Sequence, residues 1–164
     1  MLRLSKKADY ALIAMKHLAQ STSGVPSFDP GSGRAEAGRG MSTSAREIAE
    51  QYDIPIELMA KVLQRLVRTG LLVSTQGTRG GYTLSRPSSA ISVADVIEAI
   101  DGPFTVTACS TEKNDCEQYS KCSIRDPLWQ IKERIVDALG MVTIAEMAND
   151  QVMTTAAPVA VVRR

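Results

Sequence analysis

Three cysteines are the residues of this chain best suited to chemistry. Cys109, Cys116 and Cys122 are spaced C-x6-C-x5-C in a polar stretch. Thiolates are soft ligands that suit iron–sulfur clusters and zinc, and a loop of this length can wrap a cluster. The paired C-x2-4-C elements of most zinc sites are missing, and no fourth ligand is evident from the spacing. Free thiols, or a regulatory disulfide with one thiol to spare, remain open on spacing alone. An odd number of cysteines behind an N-terminus that does not resemble a secretion signal argues against a disulfide framework. His17 is the only histidine and has no partner in sequence for a metal or a proton relay, so it is read as structural or solvated. Trp129 is read as a packing anchor near the cysteine loop. No nucleophile–base set, phosphate-binding glycine motif or acid pair is present, which leaves an enzyme little to work with.

The elements that must position the cysteines are mostly helical. Over residues 4–20, Tyr10, Ala11, Ala14, Met15, Leu18 and Ala19 recur at helical spacing. From Ser21 to Thr43 the chain is rich in Gly, Ser and Pro and is read as a flexible insertion. Ser44 to Glu47 has the form of a capping box, opening a short helix to about Gln51. After a turn through Asp53, Pro55 introduces a third helix that is expected to bury Ile56, Met59, Leu63, Leu66 and Val67 and to end at Gly70. Two short helices joined by a tight turn are the helix-turn-helix pattern. Leu71–Thr75, a glycine-punctuated turn and Tyr82–Leu84 then read as strand, turn and strand, a wing. Ser92 and Asp95 cap a helix that ends at Asp101-Gly102-Pro103. The cysteine loop follows. Asp126-Pro127 is expected to start a long helix with Leu128, Ile131, Ile135 and Leu139 on one side, a stripe that needs a partner. Thr143 and Glu146 cap a last turn, and 151–164 reads as a disordered tail.

The fold class is therefore mainly α with a small β-hairpin. A winged helix-turn-helix occupies 1–90, with 21–43 as its insertion, and a cluster-binding loop and dimerisation helix occupy 91–150. Charge supports a nucleic-acid partner for the first part: residues 1–86 carry 12 Lys/Arg against 7 Asp/Glu, whereas 87–164 carry 7 against 11. On the third helix Glu57, Ala60, Lys61, Gln64, Arg65 and Arg68 point outward, and Arg79 sits at the wing tip; these are the candidate DNA contacts. No run of about 18 apolar residues is present, so the chain is expected in the cytoplasm, without a membrane or a small-molecule substrate as partner.

Leu4 to Ala11, the helix after Ile54, Gly80-Gly81-Tyr82 and the three cysteines together resemble the Rrf family of bacterial regulators, over about residues 1–150 outside the insertion. The resemblance implies a homodimer that binds palindromic double-stranded DNA, with a 2Fe-2S or 4Fe-4S cluster in each cysteine loop. It also implies differences. IscR-type members carry a histidine ligand where this chain has Arg125, while NsrR-type members use an acid of the other subunit at the position of Asp9. Asp9 is thus the leading fourth ligand, with Asp115, Glu117 or an exogenous ligand as the alternatives. The first cysteine gap is one residue longer than in IscR-type members, Ala60 replaces a base-reading Glu and Gln76 replaces a common Arg. The expected function is a transcriptional regulator sensing cluster status, redox or nitric oxide stress and controlling cluster-assembly genes. A cluster-free thiol or zinc sensor, or a cluster carrier that does not read DNA, are the alternatives.

Overall fold

The computed structural model describes residues 4–21, 42–77, 80–105 and 121–149. In chain order these form α1 (Lys6–Ser21), α2 (Ala45–Gln51), α3 (Ile56–Arg68), β1 (Leu72–Thr75), β2 (Gly81–Leu84), α4 (Val93–Asp101), α5 (Arg125–Met141) and α6 (Ile144–Ala148). The expected mainly helical fold with one hairpin is what the chain adopts. No helix of the described residues is long and apolar enough to cross a membrane.

Local chemistry sets most of these boundaries. The Ser44 hydroxyl accepts from the Glu47 amide at 3.2 Å and caps α2. Ser92 with Asp95, and Thr143 with Glu146, form complete reciprocal capping boxes at α4 and α6. Gly70 ends the α3 region with φ at 77°, and Gly102 caps α4 with φ at 84°, backbone conformations that a side chain would strain. The start of α5 differs from the expectation at Asp126. The helix begins at Arg125 after Ile124, and the Asp126 carboxylate accepts from Arg125 Nε at 2.8 Å instead of capping. That neighbouring guanidinium holds the Asp126 carboxyl below its ordinary range.

One buried cluster unites α1, α2, α3, β1, α4 and α6. Met15, Leu18, Ile48, Met59, Leu63, Leu66, Ile91, Val96 and Ile144 lie in it with essentially no exposure. Residues after position 90 therefore complete the core of the helix-turn-helix: α4 and α6 both pack on α1, and Ser92 bridges Thr143. His17 is buried at the edge of this core, its ring edge-on to Tyr52 at 5.7 Å, a structural placement.

The wing is an antiparallel pair with Leu72 opposite Leu84 and Thr75 opposite Gly81. It gains a third backbone partner from the end of the segment expected to be a loose insertion. Thr43 is buried and exchanges two hydrogen bonds with Tyr82, of 3.2 and 2.9 Å. Only a residue without a Cβ fits beside this bridge, because a Cβ on Gly81 would lie 2.7 Å from the Thr43 carbonyl oxygen. Ser21, at the other end of that segment, is the last residue of α1. The rest of the expected insertion, like the expected tail at 151–164, lies outside the described residues.

Candidate nucleic-acid interface and cysteine loop

The position of α3 is fixed by its apolar side. Met59, Val62, Leu63 and Leu66 are buried at 3% exposure or less, which turns the opposite side outward. Glu57, Lys61, Gln64 and Arg68 are exposed there, with Ala60 half-buried at the edge. Ile56 departs from the expectation. Helical spacing places it on the buried side, yet it is 46% exposed at the first position of the helix. At about 100° per residue it stands some 60–70° from the centre of the buried side, so the packing takes Met59 and Val62 and leaves Ile56 at the rim.

Arg65 is exposed on the same helix, but its Nε donates to the Ala99 carbonyl of α4 at 2.9 Å. The carbonyls at the end of α4 carry the negative end of its dipole, and a guanidinium suits them. Sequence periodicity places Arg65 outward and cannot reveal a partner 34 residues away. Arg79, the expected wing cation, lies outside the described residues. Arg86, just beyond β2, is engaged by Asp95 at 3.0 Å.

The last turn of α4 holds a second element as well. Ser5 donates to both oxygens of Asp101, from its backbone N at 3.2 Å and its hydroxyl at 2.5 Å. The same hydroxyl accepts from the Ala8 amide at 3.1 Å, so Ser5 caps α1 while Asp101 grips it. Ala99 and Asp101 thus attach the third helix and the start of α1 to the chain segment that enters the cysteine loop eight residues before Cys109. No sequence signal distinguished Asp101 for this role.

Cys122 is half-buried as a free thiol three residues ahead of the first residue of α5. Asp9 is exposed in the first turn of α1. Cys109, Cys116, Asp115 and Glu117 lie outside the described residues, and among the described residues no three His, Cys, Asp or Glu side chains converge. Trp129 is not the packing anchor expected: it is 45% exposed, donates to Glu133 at 2.9 Å, and has the Lys132 ammonium 4.6 Å from its ring centroid. Its indole has the partner that burial would demand, supplied by its own helix. Helix α5 buries none of its residues and packs chiefly on α4, over a cavity of about 200 Å³ lined by Ile97, Phe104, Val136 and Leu139.

Comparison with known proteins bears on this arrangement. A family model described as Rrf2, iron-dependent transcriptional regulator, matches residues 35–150. The HTH-type transcriptional regulator IscR of Yersinia pseudotuberculosis is 30% identical over 151 residues, covering 92% of this chain and 81% of that protein. IscR of Klebsiella pneumoniae is 31% identical over 153 residues, covering 92% and 82%. Among solved structures, CymR, the global cysteine regulator of B. subtilis, superposes with a TM-score of 0.67 at 24% identity over 92% of this chain and 98% of that one. T. potens IscR does so with 0.65 at 24% identity over 95% and 93%. At that identity the structures speak for the winged-helix fold, and the sequence matches speak for the role: these relatives are regulators and not enzymes. The chain belongs to the Rrf2 family of transcriptional regulators, proteins that bind DNA.

Proposed function

We propose that this chain is a homodimeric regulator whose hold on a palindromic operator is set by an iron–sulfur cluster on Cys109, Cys116 and Cys122. The observation that carries the reading is the position of Cys122 at the head of α5. The free thiol stands three residues before a helix whose apolar stripe is only partly covered, so a group bound at the first would lie beside the subunit contact proposed for the second. The thiol is accessible to a ligand, and the N-terminus of α5 offers the positive end of a helix dipole to an anionic thiolate-ligated group. The description of the family as iron-dependent supports iron over zinc. When bound, the cluster supplies a redox-active and oxygen- or nitric-oxide-sensitive centre.

Asp9 of the partner subunit is the proposed fourth ligand. Its own helix is gripped at Ser5 by Asp101, so a pull on Asp9 is a pull on α1 and on the helices packed against it. Half-sites on one face of DNA are separated by about 34 Å or its multiples, so a small rotation of the reading heads removes several contacts together. Genes of cluster assembly or stress response are the proposed targets. Lys61, Gln64 and Arg68 on α3, with Glu57 and Ala60, form the proposed DNA face, Arg79 is its wing contact, and Arg65 stands at its edge.

Anaerobic purification tests the cluster. A coloured protein with matching iron and sulfide counts, whose chromophore is abolished by Cys109→Ala, Cys116→Ala or Cys122→Ala, is the expected result. Asp9→Ala retains colour with a shifted spectrum and altered operator affinity. A colourless protein, or one carrying zinc, overturns the cluster and leaves the thiol or zinc sensor.

A further inference from the structure

The proposed DNA face of α3 is charged and polar except at one edge. Ile56 and Ala60 are four residues apart and therefore stack along the helix on the same edge, next to Glu57 and Gln64. Ile56 is 46% exposed although it opens the helix that contributes Met59, Leu63 and Leu66 to the core. Leu58 is also exposed, at 37%, but it lies about 200° around from Ile56 on the edge of Arg65, and the Arg65 hydrogen bond to Ala99 turns that edge toward α4. Among the described residues the Ile56 edge has no such attachment, and its helix starts directly after Pro55, so Ile56 stands at the tip of the helix.

The N-terminal residues of a helix-turn-helix recognition helix are those that contact base edges in the major groove. There each base pair presents hydrogen-bonding groups, which Glu57, Lys61 and Gln64 are equipped to meet. Only thymine presents an apolar group, its C5 methyl. An aliphatic side chain has nothing to gain from the other edges or from phosphate, and it gains from a methyl the area that both remove from water. We infer that Ile56, flanked by Ala60, reads the methyl group of one thymine in each half-site. This rests on the assignment of α3 as the recognition helix.

The test uses the full-length protein, both as purified anaerobically and after chelation of any bound metal. Its operator is first selected from a random duplex library, and each thymine is then replaced singly by uracil, which deletes the methyl and leaves every hydrogen-bonding group in place. Affinity is measured by fluorescence anisotropy at one fixed salt concentration, since affinities at different salt are not comparable. One position per half-site should lose about four-fold on uracil substitution, the contribution of one buried methyl. Ile56→Ala should weaken the thymine operator by a similar factor and bind thymine and uracil equally at that position, with an unchanged salt slope, while Ile56→Val keeps part of the discrimination. The inference is overturned if wild type binds every uracil operator alike, if Ile56→Ala still discriminates, or if Ile56→Ala changes the sedimentation of the free protein, which would make Ile56 a subunit contact. A selection that yields no bound duplex for either form overturns the recognition-helix assignment instead.

Discussion

Helices α3 and α5 use their apolar residues in opposite ways. The 13 residues of α3 include four that are almost completely buried, and one core closes over them. The 17 residues of α5 include none, and Trp129, Ile131 and Met141 are 45, 46 and 77% exposed. A helix with an apolar stripe gains its stability by covering that stripe, and α4 covers only part of it. The core beneath the proposed DNA-reading helix is thus closed by described residues of the same chain, whereas the cover for α5 is not found among the described residues. The proposed second subunit supplies it, and the proposed sensor thiol lies at the head of the same helix.

The sharpest way to break this contrast is to change one residue on each helix. Leu66→Ala in the closed core should cost about 2–5 kcal/mol of stability, read as a lowered urea midpoint. Ile131→Asp should leave the helical signal of the protomer in place and weaken self-association by ten-fold or more, read by sedimentation equilibrium. If Ile131→Asp unfolds the protein as Leu66→Ala does, at every protein concentration, α5 belongs to the protomer core and the contrast is lost.

A smaller effect sharpens the boundary between the core and the DNA face. Arg65→Ala should cost about 1–2 kcal/mol of stability by removing the hydrogen bond to Ala99. If Arg65 positions α3, operator affinity falls with the salt slope unchanged, and Arg65→Lys, which keeps the charge without the planar fork, fails to restore it. A slope lowered by about one unit, with Lys restoring it, would identify a phosphate contact instead.

The smallest effect concerns α6, which follows α5 directly and closes the core through Ile144. The Thr143 amide and hydroxyl both donate to the Glu146 carboxylate, at 2.7 and 3.0 Å, and hold its carboxyl below the ordinary range. A carboxyl depressed in the folded state contributes stability that is complete above its unfolded value, about pH 4.3, and is lost as pH falls through the lower folded value. Melting temperatures of wild type and Glu146→Gln should therefore differ at neutral pH and converge in acid as pH falls through the lowered folded value. A constant difference down to pH 2 would show that the carboxylate does not titrate against folding.

Much of the fold was legible in the residues because its signals are local. A serine or threonine three residues before an acid, as at Ser92 and Thr143, satisfies the free amides of a helix start in any tertiary setting, and the structure has both boxes. Gly70 and Gly102 mark helix ends through their own backbone freedom. The spacing of Met59, Leu63 and Leu66 determined which side of α3 turns inward. The three cysteines can be read from the sequence as soft ligands for the same reason, since ligand type is a property of the side chain, but Cys109 and Cys116 lie outside the described residues. What only the tertiary structure decided is everything that depends on a partner far along the chain. Ile56 lies near enough to the apolar side of α3 to be read as core, and the packing alone left it exposed. Arg65 had the periodicity of a free cation until Ala99 was brought beside it, and Trp129 had the composition of an anchor until α5 was left open. Thr43 ended a stretch of loop composition, yet the wing needed its backbone, and Asp101 became a grip on Ser5 only when two residues 96 positions apart were folded together. Periodicity and caps are written within one or two helical turns, while which groups meet across the molecule depends on how all the elements pack together.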